Sequence, residues 1–327
     1  MSEANKTSQP KSKMLVTIIV CTYNRASLLE KTLQALLAQK TNAEYEIVVI
    51  DNNSTDRTKE AVKKVAHNAE IPVRYYIEKE QGISSARNRG AQEARGEYIA
   101  YIDDDAIASE NWLREIINSF ENTEPKPACC VGKVELQWEQ GRSKWFPQEH
   151  ETLLGQYDFG NTLKFLGPDD YLVTMNVAFQ KESFLKIGEF RTYLGRKGNC
   201  LLSGEDNNMY QRFYSAGALI YYNPNQLIYH LVPKERQTLC WLTKRMFWDG
   251  ATQILLDFEN CKINKKNYLS KSAYDFKTTL INIFCAIFFV FLLNKDKSIH
   301  FFLKATLRAG RIYMAFIFFG LKKVESK

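Results

Sequence analysis

The sequence predicts an α/β protein: an open, mostly parallel sheet flanked by helices, followed by a helical C-terminal extension. Three observations lead there. Short β-branched runs alternate with helix-spaced stretches through residue 105, polar clusters close those runs, and the chain turns basic and apolar beyond residue 237.

The run at 15–21, LVTIIVC, has no polar alternation, the mark of a strand buried on both faces. After Thr22-Tyr23-Asn24-Arg25, Leu28, Leu29, Leu33, Leu36 and Leu37 fall at helical spacing. A second buried strand at 46–50 ends in the polar segment 51–56 and leads into another helix. Residues 73–77 read as a third strand, 81–94 as a turn and helix, and 98–102 as a fourth strand ending in Asp103-Asp104-Asp105. Right-handed crossovers bring the C-terminal ends of such strands to one edge, where sheets of this kind bind ligands. The clusters at 22–25, 51–56 and 103–105 are therefore expected to meet. Farther on, 128–137 and 171–179 read as strands, 181–187 and 205–216 as helices, and 219–222 and 227–230 as short strands.

A chain of 327 residues, 45% hydrophobic, can bury a large core, which excludes a disordered or fibrous protein. The first 13 residues are polar, lack the apolar core of a signal peptide and read as a frayed tail. Seven cysteines, an odd number without a CxxC pair, point to neither a zinc site nor a full disulfide framework, and fit a reducing, cytoplasmic-facing location. Net charge is +7, yet residues 261–327 hold 13 Lys/Arg against 3 Asp/Glu, so the first 260 residues sum to −3. The basicity belongs to the tail, which suits an anionic membrane surface and argues against nucleic acid as a partner.

Asp103, Asp104 and Asp105 repel one another unless a cation or solvent relieves them. As hard oxygen ligands they suit a divalent ion that neutralises phosphates; a solvated acidic turn is the other reading. Glu205 and Asp206 follow Ser203-Gly204 at a helix start, where a carboxylate can act as a general base or merely cap the helix. Arg87 and Arg89 can serve phosphates or face solvent. His230 ends the run LIYH, where a lone histidine is either packed or a ligand. Trp138, Trp145, Phe146 and Tyr157 can stack on sugars or fill a core.

The segments VTIIVCTYNR, IVVIDNNSTD, GISSARNRGAQEARGEYIAYIDDDA, TMNVAF and GEDNNMYQR together resemble the family-2 glycosyltransferases with the GT-A fold, over about residues 14–236. The resemblance implies a GT-A domain at 14–236, with a nucleotide-binding half at 14–105 and an acceptor half at 106–236. It implies that Thr22, Tyr23, Arg25, Asp51 and Asn52 line the nucleotide pocket, although many relatives carry Asp at the position of Asn52, which weakens the inference toward a uridine donor. Arg87 and Asn88 match positions that approach the diphosphate or the base. In the DxD motif the first aspartate, Asp103, meets the ribose and the last, Asp105, binds Mn²⁺ or Mg²⁺, with Asp104 between them on the donor side. Asp206 matches the family's general base, with Glu205 secondary, and His230 completes the metal shell in similar proteins. Lys234 and Arg236 can clamp phosphates when their loop closes. Thr174, Met175 and Asn176 match the segment that faces the acceptor and the transferred sugar.

The implied activity is inverting transfer of a sugar from a nucleotide-diphosphate sugar, with UDP first in line, to a hydroxyl of a glycan or lipid-linked acceptor in envelope or exopolysaccharide synthesis. In the tail, 280–293 and 312–321 are apolar but shorter than the roughly 20 residues of a spanning helix. Between them Ile299, Phe302, Leu303 and Leu307 share one helical face and Lys304, Arg308 and Arg311 the other. Monotopic or re-entrant attachment of 237–327 to the cytoplasmic leaflet is the expectation, with lysines 295, 297, 322 and 323 near headgroups; a helical subdomain packed on the core is the alternative. Two rival functions stand beside the transferase. A nucleotidyltransferase would be expected to carry a Gly-rich, basic loop where CTYNR stands. A non-catalytic nucleotide-binding scaffold has no need of both Asp105 and Asp206.

Overall fold

The computed structural model describes residues 14–198, 200–259 and 265–321. Strands β1 (Val16–Thr22), β2 (Tyr45–Asp51), β3 (Val73–Ile77) and β4 (Tyr98–Asp103) lie in the order β3-β2-β1-β4, all parallel. β1 and β2 are buried along their whole length, which is why they read as unbroken apolar runs, while β3, at the sheet edge, stays half-buried. Helices α1 (Ala26–Leu37), α2 (Thr58–His67) and α3 (Ile83–Glu93) make the crossovers. Thr22 pairs with Asp51 and Cys21 with Asp103, so the polar ends of β1, β2 and β4 come level on one rim.

The second half adds β5 (Ala106–Ala108), α4 (Trp112–Glu121), β6 (Cys129–Trp138), β7 (Lys164–Phe165), β8 (Asn176–Gln180), α5 (Lys181–Ile187), α6 (Glu205–Ser215) and β9 (Ile220–Val232). The sheet continues from β4 as β8-β6-β9-β5, with β7 on β9. β8 runs antiparallel to β4 and β6, β9 runs parallel to β6, and β5 and β7 run antiparallel to β9, so the sheet becomes mixed beyond β4.

Three local readings change. The strand expected over 171–179 begins only at Asn176, because 171–175 run as a loop ending in a turn along the cavity wall. The short strands at 219–222 and 227–230 are one element, β9, which carries Pro224 through a register shift opposite Gly132 and Val134. That irregularity is what lets a sheet accept a residue with no N–H to give. Trp138, Trp145 and Phe146 pack with Leu242, Met246 and Leu303, and Tyr157 is 1% exposed in the main core. Of the two uses open to these rings, core packing is the one the fold makes.

Helices α7 (Leu239–Glu259), α8 (Lys265–Phe291) and α9 (Lys295–Leu321) complete the chain. α9 crosses α7 at a pair of glycines: a Cβ on Gly250 would stand 1.9 Å from the Leu307 carbonyl oxygen, and one on Gly310 1.8 Å from that of Phe247. Leu303 is wholly buried there, with Ile299 and Leu307 beside it. Arg308 and Arg311 turn inward to the buried Asp275 of α8, at 2.5 and 3.0 Å. Ile299, Leu303 and Leu307 of the face expected to lie in a membrane are therefore spent on protein, while Phe302 stays exposed; an apolar stripe announces that it will be covered and not by what. α8 differs. Residues 271–291 are long and apolar enough to cross a membrane by length and composition, with a mean hydropathy of 1.5 and only 11% buried, and Phe284 and Phe291 are 70% and 80% exposed. Cys21, Cys129, Cys130, Cys200, Cys240 and Cys285 are free thiols. Residues 1–13, Cys261, Lys322 and Lys323 lie outside the described residues.

Candidate active site

A cavity of about 640 Å³ opens at the rim where β1 and β4 end, and the α6 start and α7 form its opposite wall. That volume suits a ligand of nucleotide size.

On the rim, Thr22 Oγ1 donates to Asp104 Oδ2 at 2.7 Å, and Arg25 Nη1 reaches Asp104 Oδ1 and Asp105 Oδ2, both at 2.9 Å. Asp104 and Asp105 are 4% and 3% exposed. Burial pushes the Asp104 carboxyl up to about 6 against the pull of Arg25. The same burial acts on Asp105, but His230, Arg236 and Arg25 outweigh it and hold the carboxyl well below its ordinary value. Tyr23 stands half-open on the cavity wall.

The hairpin of β5 and β9 sets the neighbour of Asp105. Ala106 pairs with His230, and Leu231 donates its N–H to the Asp105 carbonyl at 2.9 Å. His230 Nε2 thereby lies 3.2 Å from Asp105 Oδ1, an oxygen that is buried without a hydrogen-bond partner. An octahedral cation with ligands at about 2.1 Å holds neighbouring ligand atoms about 3 Å apart, so this pair fits one edge of such an ion. Arg236 Nη1 also lies 3.2 Å from His230 Nε2. Asp103 does not join the pair; its Oδ1 lies 3.5 Å from Arg87 Nη2. Among the described residues no three His, Cys, Asp or Glu side chains gather into a metal cage. Mg²⁺-like ions bound through one or two protein ligands and completed by substrate phosphates need none.

Across the cavity, Gly204 takes a φ of +102° to start α6, a backbone conformation glycine adopts without strain. Glu205 turns inward, 6% exposed, and binds Arg87 Nη1 at 2.9 Å. Asp206 keeps 28% of its side chain exposed and accepts from Thr174 Oγ1 at 2.6 Å and Thr174 N at 3.3 Å. Its carboxyl is pushed up to about 7 by burial and by the Glu205 charge, with Arg87 and the Thr174 hydroxyl opposing. Arg87 also comes within 3.5 Å of Asp206 and so spans the two acidic clusters.

Several expected site residues serve the scaffold instead. Asn176 is fully buried: Trp112 Nε1 donates to its Oδ1 at 2.7 Å, and its Nδ2 donates to the Lys133 and Gln226 carbonyls, so no group is left for a sugar. Asn88 exchanges two 2.9 Å bonds with the Phe190 backbone and faces no phosphate. Asp51 accepts from Ser54 N and Tyr75 Oη and lies behind the cavity wall. Asn52 does line the cavity, but its Nδ2 donates to the Glu78 and Glu80 carbonyls and its Oδ1 accepts from Gly82 N. A carboxylate there would face two carbonyl oxygens, which gives the amide a physical reason. Met175 lines the cavity, Lys234 is exposed away from it, and Arg236 is engaged by Asp105 at 3.0 Å. The sequence reading did not single out Gln81, Ile83, Arg196, or the α7 residues Arg245, Asp249, Thr252 and Gln253, all of which line the cavity. One signal was present for Arg196, which sits between Gly195 and Gly198, both at positive φ.

Residues 17–188 match the family described as Glycosyl transferase family 2. The chain is 27% identical over 263 residues to the glucosyl-dolichyl phosphate glucuronosyltransferase of Haloferax volcanii, covering 78% of this chain and 82% of that protein. It is 27% identical to the succinoglycan biosynthesis protein ExoM of Rhizobium meliloti, covering 74% and 75% respectively. In fold it is similar to the mannosyltransferase PcManGT of Pyrobaculum calidifontis, solved with GDP-Man and Mn²⁺, with a TM-score of 0.61 at 19% identity over 96% of this chain and 90% of that one. The sheet, its rim and these matches agree: the chain has the GT-A fold and belongs to glycosyl transferase family 2.

Proposed function

We propose that the protein is an inverting, metal-dependent glycosyltransferase that moves a sugar from a nucleotide-diphosphate sugar to a hydroxyl of a lipid-linked or polysaccharide acceptor. The observation that carries this reading is the single cavity shared by the Asp103–Asp105 rim and Asp206, with Arg87 between them. Thr22, Tyr23 and Arg25 sit where a nucleotide enters, and Asp105 with His230 is the pair that would hold a divalent cation. Such an ion, when bound, neutralises the charge that builds on the departing diphosphate.

Asp206 acts as the base. A carboxyl that titrates near 7 is about half ionised at neutral pH and remains basic enough to take a hydroxyl proton, as efficient proton transfer requires. Thr174 aims it with two hydrogen bonds, and Glu205, spent on Arg87, supports it from behind. The acceptor oxygen bonds to the anomeric carbon as the bond to the diphosphate breaks, and the proton goes to Asp206. A thermal-shift panel of nucleotide sugars with Mn²⁺ or Mg²⁺ should raise the melting temperature for one donor only when the cation is present, since a ligand stabilises only what it binds folded. No shift with any donor would sink the proposal.

The same reading attaches the protein to a membrane, with the cytoplasmic leaflet as the proposed side, through the outward face of α8, whose exposed apolar residues support the contact. In a flotation assay Phe284→Glu with Phe291→Glu should leave the membrane fraction. Full retention would refute attachment by this helix.

A further inference from the structure

Two cations on the cavity wall have no part in the chemistry above. Arg245 of α7 is 9% exposed; Nη1 donates to the Leu201 carbonyl at 2.8 Å, and Nη1 and Nη2 each lie 3.3 Å from Ser203 Oγ. Its Nε is buried with no hydrogen-bond partner. Asp249, one turn further along α7, keeps a 3.1 Å bond to Gln253, and burial pushes its carboxyl up against the pull of Arg245.

Arg196 comes from the loop before α6, whose backbone is tied to α3 by a 3.0 Å bond from Ile83 N to the Arg196 carbonyl. Its side chain lines the same cavity and is open to solvent there. Among the described residues neither guanidinium makes an ion pair, whereas Arg25, Arg87 and Arg236 on the same site all do.

Two guanidinium groups without a carboxylate in ion-pair contact thus line one cavity, and a planar fork of donors matches phosphate best. Their place on the wall says which phosphate. Arg245 bonds Ser203, which is tied through its N–H to Thr252 Oγ1 of α7 at 3.1 Å and lies three residues before Asp206. This is the wall of the base, and α7 also carries α9 and, through it, the apolar α8. We propose that Arg196 and Arg245 form a phosphate subsite on the acceptor side of the cavity, for the phosphate ester that joins an acceptor sugar to its lipid carrier. The proposal rests on the glycosyltransferase reading and gives its acceptor a chemical class. The donor's diphosphate is the other possible source of the same chemistry, and the test separates them.

Calorimetry on the full-length protein in detergent would use citronellyl phosphate as the acceptor-like probe, citronellol as its uncharged control, and UDP or GDP with Mn²⁺ as the donor-like probe. Citronellyl phosphate should still bind when the nucleoside diphosphate is saturating. Arg196→Gln and Arg245→Gln should each weaken it about tenfold or more while leaving nucleotide affinity within about twofold. Citronellol should bind the variants as it binds the wild type. Because Arg196 is exposed, its variant keeps the test open if Arg245→Gln fails to fold. Loss of nucleotide affinity in the variants, or exclusion of citronellyl phosphate by the nucleotide, would assign the pair to the donor and overturn the proposal. Failure of every nucleoside diphosphate to bind wild-type protein in Mn²⁺ would instead overturn the functional reading on which it rests.

Discussion

The two walls of the cavity settle their charges differently. On the rim wall nearly every polar group is answered by the protein: Asp104 by Thr22 and Arg25, Asp105 by Arg25, His230 and Arg236, and Asn52 by three backbone groups. On the α6–α7 wall Asp206 is half-open, and among the described residues Arg196 and Arg245 make no ion pair. The contrast separates a wall that is already organised from one whose charges wait for a substrate. Preorganised dipoles hold their geometry without rearrangement during reaction, whereas under-partnered groups are where substrate chemistry is most strongly felt.

Breaking the link between the walls should have the largest effect. Glu205→Ala leaves the buried Arg87 without its 2.9 Å partner and should destabilise the fold by about 3 kcal/mol, the low end for a broken buried pair, because Asp103 and Asp206 remain within 3.5 Å. Urea unfolding measures it, and a loss under about 1 kcal/mol would mean that Arg87 is not anchored there. Asn52→Asp sets a carboxylate against the Glu78 and Glu80 carbonyls and should cost roughly 1–3 kcal/mol. A neutral or stabilising result would show that the 78–82 loop is not held by this amide.

The smallest effect is a shift of profile. Activity should rise with pH through about 7 as Asp206 ionises. Because burial raises this carboxyl above its unfolded value, the stability it contributes is present at low pH and is lost as pH rises through about 7, so activity and stability run in opposite directions. Thr174→Val removes a bond to the charged form and should move the midpoint up, while Glu205→Gln removes a like charge and should move it down. Equal midpoints in all three proteins would detach Asp206 from the rate.

How much of this was legible follows from how each residue is used. β1, β2 and β4 could be read directly because parallel strands buried on both faces leave no alternation to misread. β9 looked like two strands because Pro224 interrupts its pattern and only the register shift with β6 bridges it. The acidic rim and Asp206 carried motif spacing, and the cavity joins them. Asn88 and Asn176 stand inside motifs as convincing as those of their neighbours, yet their amides close backbone gaps, a choice that depends on contacts 102 and 50 residues away in sequence. Arg245 had no motif at all and enters the site because α7 folds back over it. Likewise the stripe at 299–307 correctly announced a covered face, and only the Gly250–Gly310 crossing shows that protein covers it.

The central claim, that one cavity divides donor holding from proton removal, is tested most directly by measuring Mn²⁺-dependent nucleotide affinity and sugar transfer side by side in Asp105→Asn and Asp206→Asn. Asp105→Asn should lose the cation's contribution to nucleotide affinity, whereas Asp206→Asn should keep that affinity and lose about 10²–10⁴ in transfer rate. Wild-type transfer by Asp206→Asn, or an equal loss of nucleotide affinity in both variants, would contradict the division.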